Sequence, residues 1–258
     1  MAKLEQSSQV SPRCPLPRSV QILGVRVDDV IEDEAVILAD EMIRAGGAHQ
    51  ICTVNPEFVM EARRNPAFAG VLARADLCTP DGVGLLLASR YLGAPLRGRV
   101  TGVELSRRLA ALARARGYRL FLLGAAPGVA EAAAATLQAA YPGLLVVGTF
   151  AGSPQPRHEP FLRQLISAAR PDILLVAFGH PRQELWIARN QPYLEVPVAM
   201  GVGGALDYLS GRVPRSPRWM RRLGLEWLYR LLRQPARLPR IIDAVPRFVW
   251  AVARYGRG

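Results

Sequence analysis

Lysine is almost missing from this chain. One of its 33 basic residues, Lys3, is a lysine, and all the others are arginines. Genome composition explains that bias as readily as phosphate binding does, so where the charge lies says more than its type. Cysteine is scarce too: Cys14, Cys52 and Cys78 are odd in number and form no C-x-x-C pair, which predicts a reduced, cytoplasmic setting. Long apolar runs are absent. A stretch such as ILLVAF at 173–178 is far below the roughly 20 residues that a bilayer span requires. Residues 1–19 are polar and proline-rich with no apolar signal-peptide core, and are expected to be a flexible tail. The three histidines, His49, His158 and His180, have no metal-ligand spacing, and no Asp-x-Asp is present to hold a divalent ion. Neither a metal nor a cofactor is expected. There is no G-x-x-x-x-G-K-[ST], and GVGGALDYLSG at 201–211 matches G-x-G-x-x-G poorly, at the wrong end of the chain. A P-loop hydrolase and an ordinary dinucleotide enzyme are both disfavoured.

What is present is a chain long enough for one large α/β domain with an appendage, and hydrophobic enough (50%) to exclude general disorder. Mostly buried strands are predicted at 20–27, 49–55, 119–125, 144–150, 172–179 and 196–203. Helices are predicted at 30–45, 83–92, 103–117, 128–140, 158–169 and 182–190. Such alternation predicts an α/β fold with a parallel sheet flanked by helices, whose ligands sit beyond the carboxyl ends of the strands. Asp28 and Asp29 are expected to start the helix near residue 30. Charge divides the chain. Residues 1–211 hold 21 basic and 19 acidic side chains, whereas 212–258 hold 12 arginines against Glu226 and Asp243. We therefore divide it into a tail (1–19), a core (20–211) and a basic helical appendage (212–258).

The expected strand ends carry the unusual residues: TVNPEF (53–58), CTPDGVG (78–84), LLGAAPG (122–128), FGHPRQELW (178–186) and GVGGALDYLSG (201–211). Small residues ahead of helix N-termini suit a surface of backbone N–H groups that holds a pyrophosphate, although glycine and proline also simply punctuate turns. Asp81, set between a proline and a glycine, admits two readings. It caps the helix beginning near Val83, or it stands at a site and accepts a proton. His180, after a strand end, is a ligand contact or an ordinary turn residue.

Together with RVTGVEL (99–105), PDGVGL, FGHPRQELWI, GVGGALDYLSGRVPRSPRWM (201–220) and GLEWLYRLLRQPARL (224–238), these stretches resemble the WecG/TagA/CpsF glycosyltransferases, glycosyltransferase family 26. The resemblance covers roughly residues 20–242. It implies a Rossmann-like core and inverting, metal-independent transfer of an N-acetylmannosamine-type sugar from a UDP-sugar to a polyprenyl-pyrophosphate-linked sugar at the inner membrane face. It also implies Asp81 as base and Thr53 as a positioning residue. For the donor pocket it implies Asn55, Gly82, Arg99, Thr101, Gly102, Gly124, Gly179, Gln183, Gly203, Gly204 and Asp207, with backbone N–H groups and Asp207 on phosphate and ribose. Arg230, Arg237 and Arg240 would reach the acceptor pyrophosphate.

In the appendage, Trp219, Leu223, Trp227 and Leu231 fall at helical spacing among arginines, a pattern suited to peripheral binding on an anionic membrane surface. Self-association through the same apolar face is possible. Two other classes remain at this level: a nucleic-acid-binding α/β protein using the arginine-rich tail, and a non-catalytic nucleotide-sugar-binding protein. Against the first stands the absence of a stacking platform or RNP-type motif.

Overall fold

A computed structural model describes residues 17–217, 220, 226–233 and 238–256. Its centre is a six-stranded, wholly parallel sheet of β3 (His49–Val54), β4 (Leu77–Pro80), β5 (Arg119–Gly124), β6 (Leu145–Phe150), β7 (Ile173–Ala177) and β8 (Val198–Gly201). The strands lie in the order β4-β3-β8-β7-β5-β6. The central ones are continuous apolar runs because both faces are covered. Side chains alternate between those faces. Ile51, Leu122, Leu175 and Met200 pack under helices α1 (Glu32–Ala45), α5 (Gly102–Arg116), α6 (Val129–Ala140) and α9 (Ala205–Leu209). On the other face Phe121, Leu174, Val176 and Ala199 meet α7 (Glu159–Ala169) and α8 (Arg182–Asn190), with Trp186 wholly buried between them. The expected α/β fold is the fold found.

Four features depart from the sequence reading. The segment 20–27 is not a strand of the sheet. It is a separate antiparallel hairpin, β1 (Ser19–Ile22) and β2 (Val25–Asp28), reversed at Leu23–Gly24. The sheet's sixth strand is β4, a short edge strand in which Cys78 pairs with Cys52 of β3 and Pro80 takes the last position; an edge tolerates proline. Between β3 and β4 run two short helices, α2 (Pro56–Ala62) and α3 (Pro66–Arg74). Asn55 and Asn65 cap them by accepting the N–H of Phe58 (3.0 Å) and Phe68 (3.2 Å), with proline at the next position.

Nor do Asp28 and Asp29 start α1. Asp28 is buried and accepts the Cys78 N–H at 2.7 Å, tying the hairpin to β4. Asp29 accepts both the Arg97 N–H (2.8 Å) and its Nε (3.1 Å), fixing the loop that leads into α5. Burial pushes the Asp28 carboxyl up, against the pull of the Cys78 N–H and Arg26.

In the appendage, α10 (Glu226–Arg233), α11 (Leu238–Ile242) and α12 (Phe248–Tyr255) are helical. Phe248 and Val252 of α12 are buried in one cluster with Phe58, Leu85 of α4 (Val83–Tyr91) and Val54. The chain's end is thus part of the core. Trp219, Leu223 and the side chain of Trp227 lie outside the described residues, so the amphipathic stripe is not seen; Leu231 is half-buried. Among the described residues no helix is long and apolar enough to cross a membrane.

Candidate active site

The carboxyl ends of β3, β4, β7 and β8 open into a polar cavity of about 300 Å3. Ten of the residues singled out from the sequence line it: Thr53, Asn55, Asp81, Thr101, Gly102, Gly179, Gln183, Gly203, Gly204 and Asp207. Residues up to 154 positions apart in sequence converge because parallel strands deliver all their carboxyl ends to one side.

Asp81 follows β4 directly, with its N–H donating to Val54 O at 2.6 Å. Its carboxylate does not cap α4. Gly82 holds that N-cap position, with no side-chain bond. Instead Asp81 Oδ2 accepts the N–H of Gly102, the first residue of α5, at 3.3 Å. One carboxylate oxygen is thereby anchored on a helix N-terminus, where negative charge is favoured, while the side chain forms part of the cavity wall. Thr101 caps α5 through the Glu104 N–H (3.3 Å). Thr53 is buried, its hydroxyl 3.5 Å from Gly201 O.

Gln183 is buried, not a surface residue. Its Oε1 accepts the N–H groups of both Gly179 and Gly203, each at 3.0 Å, and its Nε2 donates to Glu184 Oε1 at 2.6 Å. One amide thus clasps the loops that follow β7 and β8. This corrects the expectation that the Gly179 and Gly203 N–H groups face a pyrophosphate, because both are committed to Gln183. A Cβ on Gly201 would collide with the Gln183 and Glu184 side chains, which is why the strand ends there on glycine. Burial raises the Glu184 carboxyl to about 7, against the hydrogen bond from Gln183.

Other predicted residues do not reach the cavity. Gly82 is not in its lining. Gly124 packs where a Cβ would stand 2.7 Å from the Ala177 carbonyl carbon, and its φ of +102° suits only glycine, so its role is close strand packing. Arg99 also lies outside the lining, near enough to Glu32 to act on that carboxyl. Arg237 and the side chains of Arg230 and Arg240 fall outside the described residues.

Of the other lining residues, His180 was weighed from the sequence as a ligand contact or a turn residue, whereas Glu57, Phe58, Arg182 and Arg215 were not singled out. Glu57 pairs with His180 (Oε2 to Nε2, 3.3 Å), whose ring lies 5.3 Å from that of Phe58. His180 is therefore a cavity residue. Arg182 and Arg215 supply cations. Glu57, Phe58, Arg182 and Arg215 lie inside stretches quoted above, but nothing local marks them; only the tertiary arrangement does. Among the described residues no group of three His, Cys, Asp or Glu could hold a metal ion. Cys52 and Cys78 are free and buried, and burial pushes the Cys78 thiol up to about 12, so both are core packing.

A polar cavity with an anchored carboxylate and protein-borne cations suits transfer of an activated, anionic substrate. Comparison with known proteins identifies the group. Residues 20–258 match the family described as "Glycosyl transferase WecG/TagA/CpsF family". A protein of Bacillus spizizenii named N-acetylglucosaminyldiphosphoundecaprenol N-acetyl-beta-D-mannosaminyltransferase is 37% identical over 80% of this chain and 79% of its own. A Staphylococcus aureus protein of the same name is 34% identical over 92% of this chain and 93% of its own. With a family match over nearly its whole length and relatives this similar, the chain belongs to the WecG/TagA/CpsF family of glycosyltransferases.

Proposed function

We propose that this enzyme transfers an N-acetylmannosamine-type sugar from its UDP-activated form to a polyprenyl-diphosphate-linked N-acetylglucosamine, with inversion at the anomeric carbon. The observation that carries the reading is the Asp81 carboxylate, anchored on Gly102 and facing a polar cavity at the carboxyl ends of the sheet. An acceptor hydroxyl attacks the anomeric carbon from one face, and its proton passes to Asp81. The bond from that carbon to the β-phosphate oxygen breaks on the other face, and its electron pair leaves with UDP. A positioned carboxylate contributes ~10²–10⁴-fold to such a step. Thr53 and Asn55 beside it orient the reactants, and Gln183 holds the two loops that shape the donor pocket. The acceptor is lipid-linked, and the last 47 residues carry most of the net positive charge, which supports a peripheral position on the inner membrane face. Arg230, Arg237 and Arg240 belong to that segment and are proposed to meet the acceptor diphosphate.

The test is product analysis by mass spectrometry. The protein is given UDP-sugars and a short-chain lipid-diphosphate N-acetylglucosamine acceptor. One added N-acetylhexosamine per acceptor, with release of UDP, is expected. Absence of any glycosylated product across the donor panel would overturn the reading, and tight oligonucleotide binding in its place would favour the nucleic-acid alternative.

A further inference from the structure

The departing diphosphate needs a cation at the cavity. His180 is already paired with Glu57, and the Arg182 side chain is largely exposed. Arg215 differs from both. The chain leaves α9, turns back with the Val213 N–H on Asp207 O (3.1 Å), and brings Arg215 over the first turn of α5. There the side chain lines the cavity beside Thr101, Gly102 and Asp207. It is 20% exposed and holds one loose ion pair, Nη1 to Glu104 Oε2 at 3.5 Å. Its Nε is fully buried with no hydrogen-bond partner among the described residues. The next residue, Ser216, is buried at 3% exposure, so the segment is seated on the core.

A buried guanidinium N–H without an acceptor is costly, so the protein's own groups leave this guanidinium under-used, and the residue that carries it lines the cavity. We propose that Arg215 binds the diphosphate of the nucleotide donor and offsets the charge that develops on the β-phosphate oxygen as the bond to the sugar breaks. The guanidinium fork matches phosphate oxygens in geometry as well as charge. This rests on the transfer reading above and assigns within it the group that receives the leaving charge.

Binding of UDP and of uridine separates a phosphate contact from general damage, since uridine keeps the nucleoside and lacks the diphosphate. Arg215→Gln is expected to weaken UDP binding roughly 10- to 100-fold, the value of one lost charge-assisted hydrogen bond, and to leave uridine binding unchanged. Arg215→Lys, which keeps the charge but not the fork, should recover part of the loss. If Arg215 served only to pair with Glu104, then Glu104→Gln would copy Arg215→Gln; we expect it to keep UDP affinity. Unchanged UDP affinity in Arg215→Gln, equal loss of UDP and uridine, or an equal effect from Glu104→Gln would each overturn the assignment. Should Arg215→Gln fail to fold, the UDP-to-uridine affinity ratio of Arg215→Lys decides, and a wild-type ratio overturns it. Product analysis is independent of these titrations. Transfer with no role for Arg215 sinks only this assignment, whereas Arg215-dependent UDP binding without transfer sinks only the reaction.

Discussion

The two ends of the sheet use the same residue types for opposite purposes. At the amino ends, two aspartates each close a two-way bond between neighbouring strands. Asp76 donates its N–H to Gln50 O (3.0 Å), and its carboxylate accepts the Gln50 N–H (2.9 Å). Asp172 does the same with Arg119, at 2.8 and 2.7 Å. His49 adds a further bond to Asp76 at 3.0 Å. At the carboxyl ends Asp81, Glu57 and Asp207 stand in a cavity wall with His180, Arg182 and Arg215, and a glutamine amide, not a carboxylate, does the clasping. One end fixes register; the other keeps charge beside a cavity. Two carboxyls, Asp76 at one end and Glu184 behind the other, are shifted in opposite directions. At Asp76 burial pushes up, but the bonds from His49 and Gln50 outweigh it and leave the carboxyl below its ordinary 3.8. At Glu184 burial dominates and raises it to about 7.

The sharpest way to break this comparison is Asp81→Asn. The N–H of Gly102 keeps an acceptor, so thermal unfolding should be unchanged while turnover falls ~10²-fold or more. Near-normal turnover would remove Asp81 as the base. Next is Glu184. Its carboxyl is raised in the fold, so the fold favours the protonated form. That stability is present in full below about 4.5 and is lost as pH rises through about 7. On the order of 3 kcal/mol is at stake, and Glu184→Gln should flatten the stability–pH curve between those limits, read from denaturant midpoints. Asp76 behaves oppositely: its contribution is present above 3.8 and lost as pH falls below it. Asp172→Ala should cost about 1 kcal/mol in stability and leave kcat unchanged below the unfolding range; a matching loss of kcat would mean the two ends are coupled. The smallest effect belongs to chelation. On the proposal that arginine meets the charge of departing UDP, turnover should survive excess EDTA, and loss that Mg²⁺ restores would refute it.

The parallel sheet was legible because buried strands read as continuous apolar runs. The same signal misled at VQILGVRV, where an equally apolar run is folded in half at Leu23–Gly24. β4 was hidden by its brevity and its proline. The helices after Asn55 and Asn65 carried a readable start, asparagine followed by proline, that the apolar pattern overshadowed. At the site, residues ending strands were found because strand ends are local features. Glu57 with His180, and Arg215 with Glu104, were not, because each pair is made by topology across 123 and 111 positions. Gln183 looked like a ligand contact, and only the fold reveals that both ends of its amide are taken by the protein itself.

Phe248 and Val252 of the last helix sit in the same cluster as Leu85 and Val54, while Ser216 is buried at the other end of the basic stretch. The stretch of chain between them is therefore held to the core at both of its ends, a closed loop and not a free arm.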